Sequence, residues 1–401
     1  MTLVSRSVLA LGMWALSACG GDAQQASSLV TSSDPALREL AAALLPDLAR
    51  RSGLELKEPV RLEKRTRSEL VRYLRHKLDD QLPEAEARRT VAAYALLGLV
   101  PDTLDLRALM LGLYTEQVAG FYEPDSAALF ILDDQPAAVL QPLLVHELVH
   151  AVQDQSADLD ALTDPDLGND RATAAQAAIE GHATLVMLEY LTEQMRGTPV
   201  DLGKVRDFAG SLRPALEGMQ AQFPALAGAP AVVRQTLLFP YVEGAGFVQD
   251  LWSGGARPAP FGANLPLSTE QILTRDRDDA PVRISLNVEG GRSVHQDDLG
   301  RLEGGIFAET HVGAGQGRLA DGWGGDRYAL VDLPGGGQGL AWVLVWDRSV
   351  ARDSWVAALA GRLGRLPAPA TVEALEVGGL PASLLRVGLP PGVRVRAAVL
   401  P

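Results

Sequence analysis

The chain has 401 residues, 47% of them hydrophobic and 21% charged, with 36 Lys and Arg against 50 Asp and Glu for a net charge of −14. That is an ordinary globular balance with room for two domains, and an acidic excess without a basic stripe speaks against nucleic acid as a partner. The single cysteine, Cys19, excludes an intrachain disulfide, so the fold has to rest on its own core.

The chain opens with one basic residue in "MTLVSR", an apolar stretch "SVLALGMWAL" and the small residues "SACG". Basic, apolar, then small is the layout of a secretory signal, too short to span a bilayer. The segment "LSAC", Leu16 to Cys19, resembles the lipobox of bacterial lipoproteins. That resemblance implies removal of residues 1–18, lipid attachment at Cys19 and a membrane-anchored protein of the cell envelope. Residues 19–33 are small and polar and are expected to form a flexible tether. Beyond the start of the chain, no apolar run reaches the roughly 18 residues that cross a membrane.

Helix punctuation follows. Ser33 or Asp34 can cap, Pro35 fits a first turn and Gly53 can close the helix between them. Further helices are expected over Ser68–Leu82, Glu84–Leu99 and Leu104–Tyr114, with Pro83 and Pro101 as breaks. Strand-like runs at Val118–Tyr122 and Ala128–Leu132 flank a turn and lead into an apolar helix around residues 143–155. More helices are expected at Asp170–Arg196, Asp201–Gln222 and Val242–Trp252. Past about Arg283 the composition shifts to glycine and β-branched residues. Two strands are expected around "LPGGGQG", then a helix at Ser349–Leu363 and strands to the end. The expected fold class is α+β: a mainly helical domain over 34–282 and a small α+β domain over 283–401.

The helix at 143–155 reads "LLVHELVHAVQDQ". Histidine is scarce, six in the chain, and two of them stand four apart around a glutamate. Residues four apart share a helix face, so His146 and His150 can aim ring nitrogens at one point. Glu147 can reach a water on the open side of a metal held there. This is the HExxH arrangement of two ligands and a general base, which would occur by accident in roughly one such chain in 200. Core histidines satisfied by hydrogen bonds are the bland alternative, and they would also need a partner for Glu147.

A catalytic zinc usually has three protein ligands. Gln153 and Ser156 stand where the longer metzincin motif has glycine and histidine, which excludes that form. Thirty residues past His150, Glu180 interrupts an apolar helix, where an uncompensated carboxylate is costly. It is the candidate third ligand. His182 lies about 200° round the helix from it and is expected to line the site rather than ligate.

With these residues the stretch Thr115–Tyr190 resembles the gluzincin group of zinc metallopeptidases, which carry HExxH on one helix and the glutamate on a later one. Several further segments, "EQVAGFYEP", "EGHAT", "FPYVEGAGFV" and "GWGGDRYAL" among them, resemble a set of bacterial secreted HExxH proteins. The resemblance implies a zincin-like fold, zinc as cofactor, a peptide or protein substrate and hydrolysis with Glu147 as base. It also implies a downstream oxyanion-stabilising group, for which Tyr241 is the candidate; a core tyrosine with its hydroxyl bonded is the other reading. One departure is Thr184, where many gluzincins have a histidine-orienting aspartate; either a different group takes that role, with Asp154 and Asp158 as candidates, or the site is tuned differently. Ser268, Thr269 and Glu270 read as a helix cap, and Asp326 with Arg327 as an ion pair in a turn. Two other functions fit the same residues: a non-catalytic envelope scaffold, and a hydrolase of non-peptide amides.

Overall fold

The computed structural model describes residues 29–401 apart from positions 206, 221 and 222. The signal-like segment 1–18, Cys19 and most of the tether lie outside the described residues. Within them the chain is a mixed α+β fold, with helices dominant up to about residue 280 and strands more frequent afterwards. No helix of the described residues is long and apolar enough to cross a membrane.

Local signals account for most of the helical first part. Helix α1, Pro35–Ser52, starts where Asp34 accepts a hydrogen bond from the Leu37 amide and stops where Gly53 turns left-handed at φ 68°. Helix α2, Arg67–Gln81, carries a reciprocal capping box between Thr66 and Glu69. Helices α3, Glu84–Leu96, and α4, Leu106–Gln117, follow, the latter capped by Asp105. Next comes the hairpin of β3, Gly120–Glu123, and β4, Ala128–Leu132.

Two strands escape a reading of the sequence: β1, Val30–Thr31, and β2, Val60–Arg65. They complete a four-stranded sheet in the order β1-β2-β4-β3, with β1, β2 and β4 parallel and β3 the antiparallel edge. In β2 only Val60 and Leu62 are buried between charged neighbours, so its identity as a strand comes from its partners.

Helix α5, Ala137–Asp154, carries the histidines and packs against β3, β4, α1 and the long helix α6, Asn169–Arg196. The helix expected over 201–222 is interrupted. Asp201 folds back onto the Gly203 amide, and Asp207, in a left-handed conformation, caps a separate helix α7, Phe208–Gln220. Helix α8, Ala231–Phe239, runs into a π-helical turn, Pro240–Gly244, and then into α9, Ala245–Trp252. The short helix α10, Thr269–Thr274, closes this part, capped by Ser268 as expected.

The strand-rich part contains β5, Ile284–Glu289, β6, Arg292–Asp297, helix α11, Gly300–His311, β7, Trp323–Asp332, and β8, Gln338–Trp346. Helix α12, Ser349–Ala360, leads to β9, Ala370–Val377, β10, Leu380–Val387, and β11, Arg394–Val399. An antiparallel sheet runs in the order β6-β7-β8-β10-β9, and β11 pairs with β5. Strands become more frequent past residue 283. The core, however, runs across it: Leu74, Val91, Leu97 and Leu113 belong to one apolar cluster with Trp342, Trp346, Trp355 and Leu385. Hydrogen bonds stitch the same seam. Asp297 and Asp298 accept the Asn169 and Asp170 amides across it, and the Leu302 amide donates to Thr269. Within the strand-rich part, Asp326 accepts the Leu299 and Gly300 amides and the indole N–H groups of Trp323 and Trp342. Asp326 is thus satisfied by neutral donors rather than by Arg327, whose guanidinium lies 3.8 Å from Asp298.

Candidate metal centre

His146 and His150 lie on the face of α5 that meets α6. His146 Nε2 stands 3.0 Å from His150 Nε2 and 3.1 Å from Glu180 Oε2, and His150 Nε2 is 3.4 Å from the same oxygen. All three side chains are at most 1% exposed. They form a group able to hold a metal ion. Ligand atoms around a four-coordinate ion at 2.0–2.1 Å stand about 3.3 Å apart, and the three observed separations bracket that value.

The hydrogen bonds around the triad determine which atoms face inward. Gln153 Nε2 donates to the Ile179 carbonyl at 3.0 Å and to His182 Nδ1 at 3.0 Å. Its oxygen is therefore the acceptor for His150 Nδ1–H at 2.7 Å. With the proton on Nδ1, the Nε2 lone pair of His150 points at the other two donors. His182 in turn donates from Nε2 to the Ser52 carbonyl at the end of α1, at 3.0 Å. On the other side, Gln176 donates to Glu180 Oε1 at 2.9 Å and leaves Oε2 for the histidines.

Charge states agree with this arrangement. Burial lowers the His146 imidazole and brings His182 down to about 4, so both rings stay neutral. Burial would raise Glu180, but the facing His150 and His146 rings hold it at about 2, ionised. Two imidazole nitrogens and a carboxylate converging on one point are what a divalent cation stabilises. The residues present fit zinc.

Glu147 follows His146 directly on α5 and is fully buried. Tyr241 sits in the π-helical turn with its ring centroid 6.4 Å from that of His146. What brings the turn so close is an approach of backbone to backbone. A Cβ on Gly181 would lie 2.0 Å from the Gly244 carbonyl carbon, and one on Gly244 would lie 2.0 Å from the Ala177 oxygen. Only glycine at both places lets α6 and the turn touch.

No protein-family model, curated protein or solved structure matches this chain.

What the site can do follows from its donor atoms. The structure brings together His146, His150 and Glu180 and leaves His182 outside the donor group. The candidate orienting aspartates are engaged elsewhere: Asp154 accepts the Tyr122 hydroxyl, and Asp158 caps the turn Leu159–Leu162. Gln153 occupies that place instead. Its signal was present in the spacing, three residues past His150 on the same face, but a neutral amide says nothing by itself about which ring it holds. The two histidines of the strand-rich part are engaged away from the donor group. His295 contacts Glu86 and Tyr328, and His311 donates to the Leu97 carbonyl.

Replacing Gln153 by leucine removes the acceptor for His150 Nδ1–H while keeping bulk. Zinc affinity, measured by competition with a chelator, should fall roughly 10–100-fold, the usual effect of losing a group that orients a ligand. Unchanged affinity would remove Gln153 from that role.

Proposed function

We propose that this chain is a lipid-anchored, zinc-dependent metallopeptidase of the bacterial cell envelope, with a zincin-like fold of the gluzincin kind. The observation that carries the reading is the convergence of His146 Nε2, His150 Nε2 and Glu180 Oε2, from two helices, beside the buried Glu147. A purely structural zinc normally has four protein ligands and needs no neighbouring base, whereas three ligands with an acid beside them suit catalysis.

Bound zinc would polarise a carbonyl and bring the pKa of a coordinated water towards ~7. The protein's own groups do the rest. A Glu147 carboxylate oxygen takes the proton of the attacking water and returns it to the leaving amine. The Tyr241 hydroxyl donates to the oxygen that gains charge as the carbonyl is attacked. Strand β3 is an antiparallel edge, so an extended peptide can add beside it by main-chain hydrogen bonds. Because the donor side chains are at most 1% exposed, the elements that cover them have to move to admit a peptide.

The test is to incubate the zinc-loaded protein with a mixed peptide library and map products by mass spectrometry. Reproducible cleavage that a chelator abolishes supports the reading. Intact peptides throughout would sink it in favour of an envelope-binding protein without turnover, and release of amines only from non-peptide amides would change the substrate class.

Anchoring rests on "LSAC" at residues 16–19. Two or three acyl chains, at about 0.8 kcal/mol per buried methylene, hold a protein stably at a bilayer. Cys19→Ser should move the protein from the membrane fraction to the soluble one; a variant that stays membrane-bound through an alkaline wash would contradict the lipoprotein reading.

A further inference from the structure

Far along the chain from the histidines, Glu270 on α10, Asp279 in the loop after it and Asp347 just past β8 bring carboxylate oxygens within 4.8 Å of one another. Acidic surface clusters are common, and the cluster alone means little. Glu270 sets this one apart. It is only 3% exposed, and its carboxylate has neither a hydrogen-bond nor an ion-pair partner among the described residues, although it faces two further acids. Nor does any lysine or arginine form an ion pair with Asp279 or Asp347 there. Arg301, which lowers Glu270 from a distance, is paired with Asp321.

The surroundings hold the three acids in place. Gln271 Nε2 donates to the Asp279 carbonyl at 2.8 Å and to the Arg277 carbonyl at 3.0 Å, which clips the loop to α10. The Asp347 amide donates to the Gly322 carbonyl at 3.0 Å, and a Cβ on Gly324 would lie 3.0 Å from an Asp347 oxygen. The loop and the end of the sheet are thereby fixed against each other, with the Val282 amide bonded to Gly324 at 2.6 Å. Two of the acids come from the helical part and one from the strand-rich part.

We propose that Glu270, Asp279 and Asp347 form a second metal site, for a hard divalent cation of the calcium type, which clamps α10 to the end of β8. The donor chemistry selects the ion. Oxygens without nitrogen or sulfur suit Ca²⁺ over zinc, and ligands at 2.3–2.6 Å lie at most about 5 Å apart, as these do. Exposed Asp347 leaves the outer side to water, which supplies the remaining ligands of a 6–8-coordinate ion. Burial, with Asp279 and Asp347 nearby, pushes Glu270 up to about 8, which is the cost an added cation would relieve.

The test uses the full-length zinc-loaded protein and calcium chloride alone as the probe, followed by calorimetric titration and thermal unfolding. Calcium should bind at one site with a midpoint of roughly 0.1–1 mM, the range of extracellular calcium modules, and raise Tm. Asp347→Asn, an exposed change that leaves the core intact, should weaken binding at least tenfold. His150→Ala should leave the calcium response in place, so this site and the zinc centre are read separately. Glu270→Gln should raise Tm in the absence of calcium and abolish the calcium response. The proposal is overturned if wild type takes up no calcium at 10 mM, or if Asp347→Asn binds calcium as tightly as wild type.

Discussion

Glu147→Gln should keep zinc bound at wild-type occupancy while peptide hydrolysis falls by about 10²–10⁴-fold, the worth of a positioned general base. The expectation rests on a division of labour along one helix. His146 and His150, four apart, turn toward Glu180, while Glu147 is offset from their row by a single residue and lies outside the donor group. Glutamine keeps the size and the hydrogen-bonding capacity of the buried side chain but takes up no proton at neutral pH. Glu180→Gln should do the opposite kind of damage, because a neutral amide oxygen replaces the ionised one that faces both rings. Two measurements per variant decide the matter: bound zinc, and cleavage of a peptide that the wild type cuts. Equal turnover by wild type and Glu147→Gln would sink the mechanism. Full occupancy after Glu180→Gln, with zinc lost only in His182→Ala, would move the third ligand to His182.

Gly244→Ala should have the second largest effect, on stability and on the site together. Its Cβ would stand 2.0 Å from the Ala177 carbonyl oxygen and 2.7 Å from the carbonyl carbon, both backbone atoms of α6. No side-chain rotation relieves such a contact, so α6 and the π-helical turn must separate. Overpacking in a core costs typically 1–3 kcal/mol, and a clash with backbone on both sides belongs at or above the upper end, about 3 kcal/mol. The displaced elements carry Glu180 and Tyr241, so zinc affinity and turnover should fall with Tm. Gly181→Ala, which meets Gly244 from the other side, should behave alike. Gly112→Ala is the control: it lies within α4 with nothing inside 4 Å of its added Cβ, and should gain roughly 0.5–1 kcal/mol. A folded Gly244→Ala protein with wild-type Tm would show that the close approach of α6 and the turn is not required.

The parts of this protein that were legible in its sequence are those whose physics is local. Four-residue spacing puts His146 and His150 on one helical face whatever else the chain does. Asp34, Pro35 and Gly53 delimit α1 through bonds that span a turn or less. Glu180 stood out because a carboxylate in an apolar helix needs compensation, and its side chain does meet the two imidazoles.

Tertiary structure decided what depends on a partner distant in the chain. Strand β2 alternates only weakly and becomes a strand because β1 and β4 supply its hydrogen bonds. The core crosses residue 283 because apolar residues of α2, α3 and α4 belong to one cluster with Trp342, Trp346 and Trp355, more than 200 residues away, and α3 packs against β8. Gln153 joins Ile179, His182 and His150, and His182 reaches Ser52 on α1. An amide can donate or accept, so its role is set by the groups that surround it. The two glycines, Gly181 and Gly244, carry no side-chain chemistry to read. Their meaning is the absence of a Cβ, and that counts only once another backbone is packed against it.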